Sequence, residues 1–163
     1  MNLLSLFKRK PKYQDAAFLD LAMMLAGDDD DPTYKRELLT PAKLDFSVES
    51  LRHVDEYLEA LHKEPPADQD LMRAVLRCGA YVGEVIRRNS KVEYHWLDFN
   101  EAARQSKLVK DFGMSLGTAG VLAEGPERMC FPLGKICKYI ENGSEDSVYF
   151  FARTALEQLP ELP

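Results

Sequence analysis

Leu71-Met72-Arg73-Ala74-Val75-Leu76-Arg77-Cys78-Gly79-Ala80-Tyr81-Val82-Gly83-Glu84-Val85-Ile86-Arg87-Arg88-Asn89, followed at once by Val92-Glu93-Tyr94-His95-Trp96-Leu97, reads as a buried helix that feeds an alternating strand. At about 100° per residue, Leu71, Val75, Cys78, Val82, Val85 and Ile86 share one face, flanked by Ala74 and Tyr81. Met72, Leu76, Gly79 and Gly83 widen that face beyond the stripe of an ordinary surface helix, so the reading predicts neighbours on two sides. Glycine inside a helix costs up to about 1 kcal/mol against alanine, and the Gly79/Gly83 pair therefore predicts a close backbone approach. Arg73, Arg77, Glu84 and Arg88 form the polar strip. Glu84 and Arg88 stand in the favourable i,i+4 order, and Arg87 and Arg88 sit where the helix dipole prefers cations. Asn89 suits the cap, and Val92, Tyr94 and Trp96 alternate with Glu93, His95 and Leu97 as in a half-buried strand.

Upstream, Asp15 is expected to cap a helix carrying Phe18, Leu21, Ala22 and Leu25 that ends near Gly27. Asp28 to Asp31 and Pro32 read as a solvated linker, without the alternating donors and turn glycine of a calcium loop. Ser47 is expected to cap a helix buried through Leu51, Val54, Tyr57, Leu58 and Leu61 and ended by Pro65-Pro66. Asp68 is then expected to cap the central helix, which makes a helical hairpin.

Downstream, Asn100 opens a helix to about Lys110, and Gly113 to Gly120 form a loop into a strand at Val121–Ala123. A turn at Glu124–Glu127 returns the chain through Met129, Cys130 and Phe131. Pro132 starts a helix with Leu133, Ile136, Cys137 and Ile140 inside, ended by Gly143. Ser144 caps a last helix burying Val148, Phe151, Ala152, Ala155 and Leu159. Because the strands are grouped, the predicted class is α+β: a helical hairpin with a buried central helix packed on a small three-stranded antiparallel sheet, plus C-terminal helices.

Composition bounds the function. A chain of 163 residues, 45% hydrophobic and 29% charged, fits a basic and apolar tail at 1–12 followed by a single globular domain at 13–163. Its net charge is −6, and the tail holds Lys8, Arg9, Lys10 and Lys12 without an acid, so the remainder is more acidic still. An acidic body argues against nucleic acid as a partner, which needs a clustered basic face. Met1 to Phe7 precede the cations in the wrong order for a signal peptide, and the run is too short to span a bilayer. That stretch reads as a frayed N-terminal tail, with a weak membrane-surface contact through residues 1–12 as the alternative. Cys78, Cys130 and Cys137 form no CxxC pair and point to reduced thiols in the cytoplasm.

The sequence from Leu76 to Arg88, the tryptophan strand, and Phe131-Pro132-Leu133-Gly134-Lys135 leading to Glu141-Asn142-Gly143 resembles small bacterial α+β domains of unknown function over about residues 46–151. The resemblance implies an architecture shared with some immunity or partner-binding proteins.

No motif assembles a chemistry. The Gly113–Gly120 run has the spacing GxxxGxxG and leads into a strand, which is not a dinucleotide fingerprint, and Gly134-Lys135 lacks the upstream glycine of a P-loop. His53 and His62 lie on opposite sides of their helix and read as exposed; no metal and no cofactor is expected. A thiol enzyme would need Cys130 or Cys137 beside His95, with Cys130 free to face solvent and Cys137 in the core. A small hydrolase or transferase would need Glu84 or Asp98 beside His95. The expected functional surface is instead aromatic and cationic: Arg87, Arg88, Tyr94 and Trp96 with Lys135 and Lys138, a set able to bind a protein partner. Trp96 and Tyr94 have a second reading as packing against the central helix. The acidic body would favour a basic partner.

Overall fold

The computed structural model describes residues 9–27 and 30–157. In chain order its elements are α1 (Asp15–Met23), α2 (Leu51–Lys63), α3 (Asp68–Asn89), β1 (His95–Asp98), α4 (Phe99–Gln105), α5 (Lys107–Phe112), β2 (Gly120–Gly125), β3 (Arg128–Cys130), α6 (Pro132–Asn142) and α7 (Val148–Glu157). The strands form one antiparallel meander in the order β1-β2-β3, with His95 opposite Ala123 and Leu122 opposite Cys130. This is an α+β fold.

Helix α3 is the centre of the molecule, packed by α1, α6 and α7, and its residues from Val75 to Ile86 are buried apart from Leu76. The polar strip expected to face water is partly covered: Arg77 and Glu84 are buried, while Met72, expected on the apolar side, is exposed. Burial of these charges is tolerated because each is hydrogen-bonded. Arg77 Nη1 donates to Thr33 Oγ1 at 3.0 Å, and Glu84 Oε1 accepts from Trp96 Nε1 at 3.0 Å and from Arg87 Nη1 at 2.8 Å. The expected Glu84–Arg88 pair is thus replaced by Glu84–Arg87, and Arg88 lies 3.7 Å over the Phe46 ring.

The two helix glycines have distinct reasons. A Cβ at Gly79 would stand 2.9 Å from Leu133 Cα, which is the close backbone approach the spacing predicts. At Gly83 the obstacle is a ring, because the Trp96 indole fills the space a side chain would need. Phe18 stacks on the other side of Trp96, 4.1 Å between centroids, and Gly120 leaves room for Phe18 in turn.

The strand alternation holds from Val92 to Trp96 and then stops. Leu97 is buried as well, in a second small core with Ala102, Val109, Val121 and Ala123, so β1 is covered on both faces rather than half-buried. The helix expected from Asn100 is two helices. Asp98 caps α4 by accepting from Glu101 N–H at 2.8 Å, and Ser106 breaks the run and caps α5.

Other caps also move. Asp15 and Asp68 are the first helical residues and make no side-chain cap. Ser47 Oγ accepts from Ser50 N–H at 3.1 Å, one turn ahead of α2. α2 packs on α6 and α7. The cap of α7 comes from Asp55 of α2 together with Ser147, and not from Ser144: Asp55 accepts from Val148 N–H at 2.7 Å and from Ser147 Oγ at 2.6 Å, while Ser147 Oγ accepts from Phe150 N–H at 3.3 Å. α6 ends at Gly143, whose φ of +89° a side chain rarely adopts. Residues 1–8, most of the basic and apolar tail, and Leu159 lie outside the described residues; Arg9 Nη2 stands 3.5 Å from Glu101. No described helix is long and apolar enough to cross a membrane.

Candidate docking groove

A groove of about 820 Å³ opens where α5, the turn Leu116–Thr118, the end of β3, α6 and α7 meet. Each wall is positioned by a local feature. Phe112 ends α5, is 58% exposed, and meets Phe131 edge-on with centroids 5.8 Å apart. The turn is fixed by Thr118, whose Oγ1 accepts from Ser115 N–H at 2.9 Å and donates to the Gly113 carbonyl at 2.9 Å. Gly117 lies against α6, where a Cβ would come within 3.1 Å of Gly134 Cα. In the Gly113–Gly120 run it is therefore Gly117 that packs the turn closely against a helix, while Gly113 takes a positive φ and Gly120 makes room for Phe18. Met129, Cys130 and Phe131 form the floor edge, and Phe151, Thr154 and Ala155 of α7 the far wall.

The lining is largely apolar, and among the described residues Lys135 and Lys138 are its only charged members, in a chain of net charge −6. Lys135 Nζ donates to Asp146 Oδ1 at 2.6 Å, and this bond holds the Asp146 carboxyl below the usual carboxylate range. Lys138 is exposed at the rim and has no ion-pair partner among the described residues. Burial pushes the Cys130 thiol up to about 12 and also raises Cys137, helped there by Glu141. Both shifts favour the neutral thiol, in keeping with sulfurs that border the groove as apolar lining. Cys130, expected to be free to face solvent, is only half-exposed, and Cys137 borders the groove instead of lying in the core.

The six residues expected to form one surface divide between two places. Lys135 and Lys138 line the groove; Arg87, Tyr94 and Trp96 lie at the junction of α1, α3 and β1, and Arg88 stacks on Phe46. Trp96 is fully buried and Tyr94 nearly so, which is their packing alternative. Arg87 Nε donates to the Tyr94 carbonyl at 2.9 Å, and its Nη2 stands 3.2 Å from Asp15 Oδ2.

That junction does not assemble the acid–base set either. Glu84 holds Trp96 and Arg87, and Asp98 caps α4. The carboxylate at His95 is Asp15, 2.7 Å from Nδ1, while Glu93 stands 3.2 Å from Nε2 and Tyr13 stacks on the ring. Both ring nitrogens thus face carboxylates, and neither is left to activate a nucleophile. His53 stands 3.9 Å from Glu56, and His62 Nδ1 lies 2.8 Å from the Ile140 carbonyl; both are half-buried rather than exposed. A second cavity, about 710 Å³ beside α3, has several charges in its wall, of which Arg73 pairs with Asp31 and Asp70, and Lys35 with Glu64 outside the lining.

The sequence signal for the groove was faint: Leu108 and Phe112 are an exposed i,i+4 pair on a helix with little apolar periodicity. No protein family, curated protein or solved structure compared with this chain matches it.

Proposed function

We propose that this chain is a non-catalytic binding or regulatory protein, immunity-like in type, that works in the bacterial cytoplasm and takes a segment of a partner protein into the groove beneath Phe112 and Phe131. One observation carries the reading: an apolar groove of about 820 Å³ whose only charged lining among the described residues is two lysines, one paired with Asp146 and the other exposed at the rim, on an otherwise acidic chain. Its size lies within the range of about 300–1,000 Å³ typical of ligand sites. Aromatic anchors surrounded by apolar contacts are also where binding energy concentrates in protein interfaces. The exposed apolar residues Leu108, Phe112 and Met114 extend the surface beyond the groove, as a docking face requires. Three free cysteines fit a reducing compartment.

The test is recovery of a partner from the native host with the wild-type chain and with Phe112→Ser/Lys138→Glu, two exposed positions whose change leaves the core intact. A stoichiometric partner held by the wild type and reduced at least tenfold on the double variant is the expected result. No stoichiometric partner, or one retained equally by both proteins, contradicts the proposal.

A further inference from the structure

The cations of this chain are unevenly spread. Residues 8–12 and 104–110 hold seven of its 21 cations and no acid, so everything outside them is more acidic than the net −6. The fold joins the two stretches. The Glu101 side chain on α4, 8% exposed, accepts from Arg104 Nη2 at 2.6 Å through one oxygen, and its other oxygen stands 3.5 Å from Arg9 Nη2. After Arg9 the chain is fastened to β1: Tyr13 stacks on His95 with centroids 3.9 Å apart, and Gln14 N–H donates to the Trp96 carbonyl at 2.8 Å. The point from which residues 1–8 depart is therefore fixed beside α4. Those residues read Met-Asn-Leu-Leu-Ser-Leu-Phe-Lys, and eight residues reach at most about 28 Å, more than the length of α4 and α5 together.

Helix α5 carries apolar surface of its own. Val109 is its only buried residue, and Leu108 and Phe112, at i and i+4 on one side, are 59% and 58% exposed, with Met114 beyond them at 68%. Leu108 and Met114 do not line the groove, so this face continues past the place proposed for the partner. Lys107, next to Leu108, is paired only with the exposed Asp111, and Lys10 and Lys12 are exposed and pair with no acid among the described residues.

Large apolar side chains beside a cationic cluster are what a bilayer interface selects: the first enter the boundary of the acyl chains, and the second stay with anionic headgroups. Nucleic acid would use the cations and leave the leucines in water. A lipid surface requires neither shape nor register, only apolar depth and positive charge, and these are what the two stretches have in common. The acidic remainder is repelled by the same lipid, but that repulsion is screened beyond about 8 Å at physiological salt, so it orients the molecule without preventing contact.

We propose that residues 3–12 and the outer side of α5 form one face that seats this protein on an anionic bilayer, with Leu4, Phe7 and Leu108 in the acyl boundary and Lys10, Lys12 and Lys107 at the lipid phosphates. The seat is separate from the groove, whose lysines take no part in it.

Co-flotation of the full chain with vesicles tests it, using phosphatidylglycerol mixed into phosphatidylcholine as the anionic bilayer and phosphatidylcholine alone as the neutral one. Binding to the anionic vesicles is expected to be at least about tenfold tighter, and to weaken at least about tenfold with Lys10→Glu/Lys12→Glu and with Leu4→Ser/Phe7→Ser. A second readout places α5. The fluorescence gained in Leu108→Trp is expected to be quenched by brominated phosphatidylcholine in the anionic vesicles, while the native Trp96, fully buried, keeps its signal. Equal binding to both vesicles, no binding to either, or binding unchanged in Lys10→Glu/Lys12→Glu overturns the inference. Anionic binding that survives Leu4→Ser/Phe7→Ser with Leu108→Trp unquenched is attraction at a distance and overturns the apolar seat. A position 108 that host protein shields and lipid does not assigns this face to a protein partner and overturns the lipid assignment.

Discussion

At the scale of single residues, the fold turns on how two glycines and two aromatic rings interlock. Gly83 of α3 faces the edge of the Trp96 indole, Phe18 stacks on that indole from α1, and Gly120 of β2 makes room for Phe18. A methyl group at 83 has no space unless the indole moves, and the indole is held by Phe18 and by its hydrogen bond to Glu84. Gly83→Ala is therefore expected to destabilise the chain by about 1–3 kcal/mol, the usual cost of overpacking a filled core, despite alanine's better helix propensity. Urea unfolding measures it, and an unchanged or raised midpoint contradicts the packing described. The sequence announced a close approach at Gly79 and Gly83 but not its partner. Helical spacing reports which face is buried, whereas the ring that fills the gap comes from a strand thirteen residues on. The same limit hid the fate of Arg77 and Glu84. A wheel places a charge on the polar side of a helix, but a second element laid over that side buries it, and hydrogen bonds with partners such as Thr33, Trp96 and Arg87 make that burial tolerable.

At the scale of elements, the joints between helices are made by side chains distant in sequence. Asp55 on α2 caps α7 through Val148 N–H and the Ser147 hydroxyl, so α2 and α7 are locked end to side. Removing that carboxylate leaves Val148 N–H and the Ser147 hydroxyl without their acceptor, and Asp55→Ala is expected to cost about 1–3 kcal/mol by urea unfolding. Burial holds the Asp55 carboxyl above the usual carboxylate range, although its three donors pull the other way. The folded chain then binds this proton more tightly than the unfolded chain, so the group's contribution is greatest below the unfolded pKa and declines as pH rises through the folded one. The stability of the wild type relative to Asp55→Asn should fall as pH rises above about 3.9, the unperturbed aspartate value; a rise contradicts the assignment. Helices with long apolar stripes, α2, α3 and α6, were legible from spacing, and so was the meander with its turn at Glu124–Glu127. The break at Ser106 and the cap at Asp55 were not. The first lies in a stretch with little periodicity, and the second is a contact ninety-three residues long in sequence, beyond any local signal.

At the scale of the molecule, α3 and its surrounding helices make a rigid support for a short sheet, with an apolar groove beside it and two lysines at its margin. Two of the six residues expected to form the surface, Lys135 and Lys138, belong to that groove. Of the other four, Arg87, Tyr94 and Trp96 hold α1, α3 and β1 together and Arg88 stacks on Phe46, because aromatic and cationic residues near a helix end serve packing as readily as recognition. The most direct measurement of the proposed role is photo-crosslinking in the native host from p-benzoylphenylalanine placed at Phe112, with Lys43, exposed before α2, as the control position. A single protein captured from position 112 and absent from position 43, with the adduct lost on Lys138→Glu, is the predicted result. No adduct at 112, or the same proteins captured from both positions, would contradict a partner-binding groove.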